Sequence, residues 1–177
     1  MQAAFDLKAQ YCARMDGKEW DRWASLFTDD ATMQFGPSAD AAVHGRDAIK
    51  SLVSRQLRGG SSLHEVSDPE LSELDEARVR VVWEMRDIVD TPLYALRGRG
   101  FYEDEYVKTN QGWRIARVRL HRSAVDLQPR SPIMGAILWL HERGWLARIA
   151  PGAGRALADA LHVGLGEGQR PCRRSRC

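Results

Sequence analysis

The stretch Ala77-Arg-Val-Arg-Val-Val-Trp-Glu-Met-Arg-Asp-Ile88 alternates almost strictly. Val79, Val81, Trp83, Met85 and Asp87 fall on one face. Arg78, Arg80, Glu84 and Arg86 fall on the other, with Val82 the exception. A period of two over this length describes a strand with one face on a core and one in water. The pattern continues downstream. Asp90-Thr-Pro92 turns the chain, and residues 94–107 form a second long strand, in which Gly98 and Gly100 mark a bend or bulge. Thr109-Asn-Gln-Gly112 is a hairpin turn, and residues 113–123 return. Upstream, residues 61–66 read as a strand, interrupted at Pro69 before a shorter one over 70–74.

Helical periodicity precedes this meander. Over residues 3–15, Phe5, Ala9, Cys12 and Asp16 form one stripe and Leu7, Tyr11 and Met15 its neighbour, until Gly17 stops the helix. Residues 18–27 place Trp20, Trp23, Ala24 and Phe27 at helical spacing. A short strand over 31–35 closes at Gly36-Pro37-Ser38, and a third helix covers 46–57 with Ile49, Leu52 and Val53. Three helices followed by an antiparallel meander predict an α+β domain, with helices on one face of a curved antiparallel sheet.

The character changes after Pro129. Ser131-Pro132 is a helix start, and a helix over 133–143 ends at Gly144. Pro151-Gly-Ala-Gly154 breaks the chain before a short helix at 155–162, and residues 164–177, rich in glycine and arginine, read as a disordered tail. The predicted organisation is a domain over 1–128, a helical extension over 129–163 and the tail. Ile133, Ile137, Trp139, Leu140, Trp145, Leu146 and Ile149 are too apolar for a free surface helix, so the extension is expected to act as a lid or a subunit contact.

The 177 residues are 44% hydrophobic and 28% charged, with a formal net charge of +2. Six arginines lie beyond Arg143, so the body has no basic footprint for nucleic acid. The apolar run over 133–140 is too short to cross a bilayer, and the N-terminus lacks the blocks of a signal peptide. Cys12, Cys172 and Cys177 have no metal-ligand spacing, which suits a reducing cytoplasm. No glycine-rich nucleotide motif and no zinc-type cluster is present in the sequence, so neither a cofactor nor a metal is expected.

Three residues carry candidate chemistry. Tyr11 and Asp16 lie at the end of the first helix, and His64 shares a strand face with Ser62 and Val66. An imidazole oriented by a carboxylate is a general base near neutral pH, and a phenol can donate to a developing enolate. Asp87, at the end of the apolar face of its strand, is a fourth candidate. Arg117, Arg119 and His121 alternate on the last strand, as a solvated charged face or an anion site.

Tyr11 to Phe35, with Asp16-Gly-Lys-Glu-Trp20 and Leu26-Phe-Thr-Asp-Asp-Ala-Thr-Met33, resembles the opening of SnoaL-like, nuclear-transport-factor-like domains. Gly45-Arg-Asp-Ala-Ile49 and the run Gly98-Arg-Gly-Phe-Tyr-Glu-Asp-Glu-Tyr-Val-Lys-Thr-Asn-Gln-Gly-Trp-Arg-Ile115 resemble later parts. The resemblance covers residues 1 to about 124 and implies a cone, a bent antiparallel sheet wrapped around helices with an apolar cavity, which Val66, Val81, Trp83, Met85 and Tyr102 are then expected to line. Within that superfamily the ketosteroid isomerases have a tyrosine where Tyr11 stands, but their catalytic aspartate falls at Phe35. Limonene epoxide hydrolases need Arg-x-Asp on a strand, whereas Arg86 and Asp87 are adjacent. The chain is similar to the scytalone-dehydratase-like branch, whose aspartate and histidine match Asp16 and His64, with a tyrosine at Tyr11 and a further polar residue where Asp87 stands. The resemblance implies a cofactor-independent dehydratase acting on a small apolar carbonyl compound of polyketide, steroid or aromatic type, as a homodimer or homotrimer. The alternative is a non-catalytic ligand-binding cone, or a structural subunit like the small subunits of ring-hydroxylating dioxygenases.

Overall fold

The computed structural model describes residues 2–35, 42–143 and 145–150. Helix α1 (Gln2–Asp16) buries Ala4, Leu7, Lys8, Tyr11, Cys12 and Met15, one face at the i, i+3, i+4 spacing. A short helix α2 (Trp20–Ala24) follows, then strand β1 (Phe27–Phe35), strand β2 (Ala42–His44) and helix α3 (Arg46–Gln56). The meander is β3 (Ser61–Asp75), β4 (Arg78–Asp90), β5 (Tyr94–Thr109) and β6 (Gly112–Pro129). Helices α4 (Pro132–Glu142) and α5 (Trp145–Ile149) come last.

The six strands form one curved, unclosed sheet in the order β2-β1-β6-β5-β4-β3. With the N-terminal helices it makes the α+β arrangement that the element order implied and the cone that the resemblance implied. All pairings are antiparallel except β1 with β6, which is parallel. The core lies between the inner sheet face and the helices. Val79, Val81, Trp83, Met85, Asp87 and Val89 of β4 are buried in strict alternation. Phe5 of α1 sets its ring edge-on to Trp83, with centroids 5.4 Å apart.

Several sequence expectations shift. β1 begins at Phe27, a residue assigned above to a helix, and β2 was not anticipated. β3 is one strand rather than two. Pro69 sits in an irregularity of the β3–β4 register beside Asp68, whose φ is 48°. Two bulges on β6 matter most. The register against β5 slips between Glu105 and Tyr106, and again between Arg99 and Gly100. The first slip turns Val118 and Leu120 inward and aims Arg117, Arg119 and His121 outward. There they meet Glu103, Glu105 and Arg80 in a charged ladder, including Arg80–Glu105 at 3.1 Å and Arg117–Glu105 at 3.5 Å. These three residues form the charged face, not an anion site.

Ser131 caps α4, its hydroxyl accepting the Met134 N–H at 3.1 Å. Ile133 remains 74% exposed and Ile149 67%. The expected helix at 155–162 and the tail lie outside the described residues. No described helix is long and apolar enough to cross a membrane.

Candidate active site

Among the described residues β3 is the edge of the sheet, and one side of its backbone has no strand partner there. The C-terminus of α1 covers that side. Asp16, the last residue of the helix, accepts the His64 backbone N–H on Oδ2 at 2.8 Å. Its Oδ1 lies 2.6 Å from His64 Nδ1 and accepts the Ser62 hydroxyl at 2.8 Å. Burial works against the Asp16 charge. The side-chain bond to His64, the histidine's charge, its backbone N–H and Ser62 outweigh it, so the carboxyl sits below its ordinary pKa. The His64 side chain is only 7% exposed.

His64 and Tyr11 share the wall of one cavity, of about 90 Å³. Met15, Met33, Phe35, Val53, Leu57, Val89, Leu96, Val118 and Leu120 make it apolar. Gln56, Tyr94, Tyr102 and Arg122 add the other polar groups. Burial pushes the Tyr11 hydroxyl well above its ordinary pKa, and Tyr102 and Asp104 add to the rise, so the phenol stays a donor. The Tyr11 ring packs against Trp23, Phe27 and Tyr102, which fixes its direction.

Asp87 stands directly opposite His64 in the β3–β4 register but does not reach this cavity. Its fully buried side chain is bonded to Arg122 NH2. Gly98, opposite Asp87 on β5, leaves the room for this pair, because a Cβ there would collide with the Asp87 carboxylate and press on the Arg122 guanidinium. Asp87 is thus placed to orient Arg122, a cavity residue that the sequence reading passed over. The first β6 bulge obscured it, since it moves the inward parity from the register of Ile115 to that of Val118, Leu120 and Arg122.

Of the expected lining residues, Tyr102 reaches the cavity. Val66, Val81, Trp83 and Met85 do not: Val81, Trp83 and Met85 are core residues, and Val66 packs against that core. The Trp83 indole N–H donates to the Tyr106 hydroxyl at 3.2 Å, and that hydroxyl donates to Asp104 at 2.7 Å. Asp104 pairs with Lys8 at 2.9 Å, both fully buried, and the Lys8 ammonium lies 3.5 Å over the Tyr102 ring. Among the residues of α4 and α5 whose side chains are described, none lines the cavity. Among the described residues no cluster of three or more His, Cys, Asp or Glu could hold a metal ion.

A family model described as a SnoaL-like domain matches residues 2–119. The chain belongs to the SnoaL-like family. Its fold is shared by a scytalone-dehydratase-like protein of Novosphingobium aromaticivorans DSM 12444, 22% identical over 71% of this chain and 85% of that one, with a TM-score of 0.62. It is shared by the hexachlorocyclohexane dehydrochlorinase LinA-type3 of Novosphingobium barchaimii LL02, 16% identical over 74% and 90%, with a TM-score of 0.60. ActVI-ORFA of Streptomyces coelicolor has it too, 15% identical over 68% and 95%, with a TM-score of 0.56. At these identities the SnoaL-like likeness is one of fold. No curated protein matches the sequence significantly.

Proposed function

We propose that this SnoaL-like domain is a dehydratase that removes water from a small, largely apolar β-hydroxy carbonyl compound of polyketide, steroid or aromatic type. The 2.6 Å contact between Asp16 Oδ1 and His64 Nδ1, at the wall of an apolar cavity that also holds Tyr11, carries the reading. Asp16 is an acceptor, so Nδ1 carries the hydrogen and Nε2 is the basic nitrogen. His64 Nε2 takes the proton α to the carbonyl, and the C–H electrons form the enolate. The Tyr11 O–H donates to the enolate oxygen, and Arg122 supplies positive charge from the same wall. The enolate then expels the β-hydroxyl, which takes the proton back from imidazolium and leaves as water. The product is an α,β-unsaturated carbonyl compound, and the enzyme ends in its starting protonation state.

The rival is a cone that binds without catalysis, and one observation favours it. A cavity of about 90 Å³ is well below the ~300–1,000 Å³ of ordinary small-molecule pockets. A substrate must displace wall side chains, among which the unbranched Met15 and Met33 yield most readily. A panel of β-hydroxy ketones and β-hydroxy thioesters, followed by enone absorbance, separates the two readings. Turnover by the wild type and none by His64→Ala supports the dehydratase; saturable binding without turnover across the panel supports the rival.

A further inference from the structure

Two residues beyond helix α1, Lys18 and not the neighbouring Gly17 lies in the left-handed region, at φ 59°. A residue with a Cβ is strained there and glycine is not, so glycine is the usual choice. The strain coincides with a specific contact. Lys18 Nζ donates to Ser62 Oγ at 2.9 Å, and Ser62 Oγ donates to Asp16 Oδ1 at 2.8 Å. The Trp20 ring lies 5.7 Å from the ammonium, near the limit of a useful cation–π contact.

The donor inventory fixes the direction of this chain. An ammonium has three N–H donors and no lone pair, so Ser62 must accept from Lys18. The single Ser62 hydrogen is then directed to Asp16. An ionised carboxylate only accepts, so His64 Nδ1 must carry its hydrogen and Nε2 is left as the acceptor. Asp16 Oδ1 is therefore shared by two donors, and Lys18 strengthens the competitor of His64 by polarising Ser62.

We propose that Lys18 is a positioning residue of this site: through Ser62, its ammonium strengthens the competing hydrogen bond into Asp16 Oδ1 and tempers how strongly Asp16 draws on His64. This rests on Asp16 and His64 being the base pair proposed above. Its consequence is read on the hydrogen bond itself, so its failure is separable from an absence of turnover. The other ionisable groups around the pair are Cys12 on α1, Asp87 on β4, Tyr94 and Tyr102 on β5 and Arg122 on β6, with Tyr11 across the cavity. None of them is altered by the test.

The experiment compares ¹⁵N,¹³C-labelled full-length wild type with Lys18→Gly, Lys18→Arg and Ser62→Ala. Two signals are followed: the downfield Nδ1–H proton of His64 and the titration of the Asp16 carboxyl carbon. Lys18→Gly and Ser62→Ala are expected to move the Nδ1–H resonance further downfield, because Asp16 loses a competing donor. Lys18→Gly is also expected to raise the Asp16 midpoint, because a positive charge one hydrogen-bonded residue away is removed. Lys18→Arg keeps cation and donors and stays near wild type. The melting temperature of Lys18→Gly does not fall, since glycine relieves the left-handed strain. A proton resonance and an Asp16 midpoint both unmoved in Lys18→Gly and Ser62→Ala overturn the proposal, and a fall in melting temperature with unmoved signals assigns Lys18 to the fold alone.

Discussion

Asp16 holds His64 twice, by the backbone N–H on Oδ2 at 2.8 Å and by ring Nδ1 on Oδ1 at 2.6 Å. One carboxylate at the end of a helix thus fixes both the height of the edge strand and the orientation of its imidazole. The same group holds the backbone and the ring, an arrangement that suits the general-base role proposed for His64.

Asp16→Asn preserves shape but removes the charge, and the amide can turn an N–H toward Nδ1, reversing the tautomer. Turnover of a β-hydroxy ketone is expected to fall by ~10²–10⁴ with KM little changed, because the lost interaction acts mainly in the transition state. Steady-state kinetics on the pure variant check this. Equal losses in kcat and in affinity would make Asp16 a structural residue.

The depressed Asp16 pKa has a stability consequence with a definite sign. The folded protein holds this proton less tightly than the unfolded chain. The contribution of Asp16 is therefore fully present above the unfolded carboxylate value of about 4 and is lost as pH falls through the lower folded value. Urea unfolding of wild type and Asp16→Asn from pH 7 to pH 3 should give a constant stability difference down to about pH 5, then a shrinking one. A difference that grows toward low pH would mean that the carboxyl is protonated more readily in the fold.

Tyr11→Phe should separate chemistry from packing. The phenol makes no hydrogen bond to another described residue, so its removal orphans no partner and the ring contacts persist. Stability is expected to stay within about 1 kcal/mol of wild type, while kcat falls by ~10–10³, as for removal of an oxyanion donor. Paired thermal melts and kinetics decide it. Because burial raises the Tyr11 pKa, wild-type activity should show no basic limb from this phenol below pH 10.

Arg122→Met leaves Asp87 buried without its ion-pair partner and is expected to cost about 3–5 kcal/mol. The double variant Asp87→Leu, Arg122→Met removes both charges, and urea unfolding should show most of that stability restored. Its turnover should remain low, because the positive charge at the cavity wall is still missing. Recovery of stability and turnover together would show that Arg122 serves the fold alone.

Local periodicity made the frame legible. The alternation of β4 named its buried face residue by residue, and His64 took the inward parity shared by Ser62 and Val66. What escaped depends on contacts distant in sequence or on irregular register. Lys8 reads as a surface lysine until β5 brings Asp104 beneath it. A three-residue strand such as β2 has too few positions for a period, and the parallel pairing of β1 with β6 is a tertiary fact. Arg122 was lost to a bulge, and Trp83 and Met85 kept the right face while ending up in the core instead of the cavity. Strand parity gives the face of a sheet, but not where along a cone the free space lies.

The central claim is that His64 takes a proton from carbon at this cavity. The most direct measurement is deuterium wash-in at the α-carbon of ketones lacking the β-hydroxyl, followed by NMR in D₂O, with wild type beside His64→Ala. Proton abstraction then registers without any need for water loss. The account predicts exchange that saturates with ketone concentration in the wild type and falls to the uncatalysed rate in His64→Ala. Ketones that bind the cavity but exchange at the uncatalysed rate with wild type, or equally fast with His64→Ala, would contradict it.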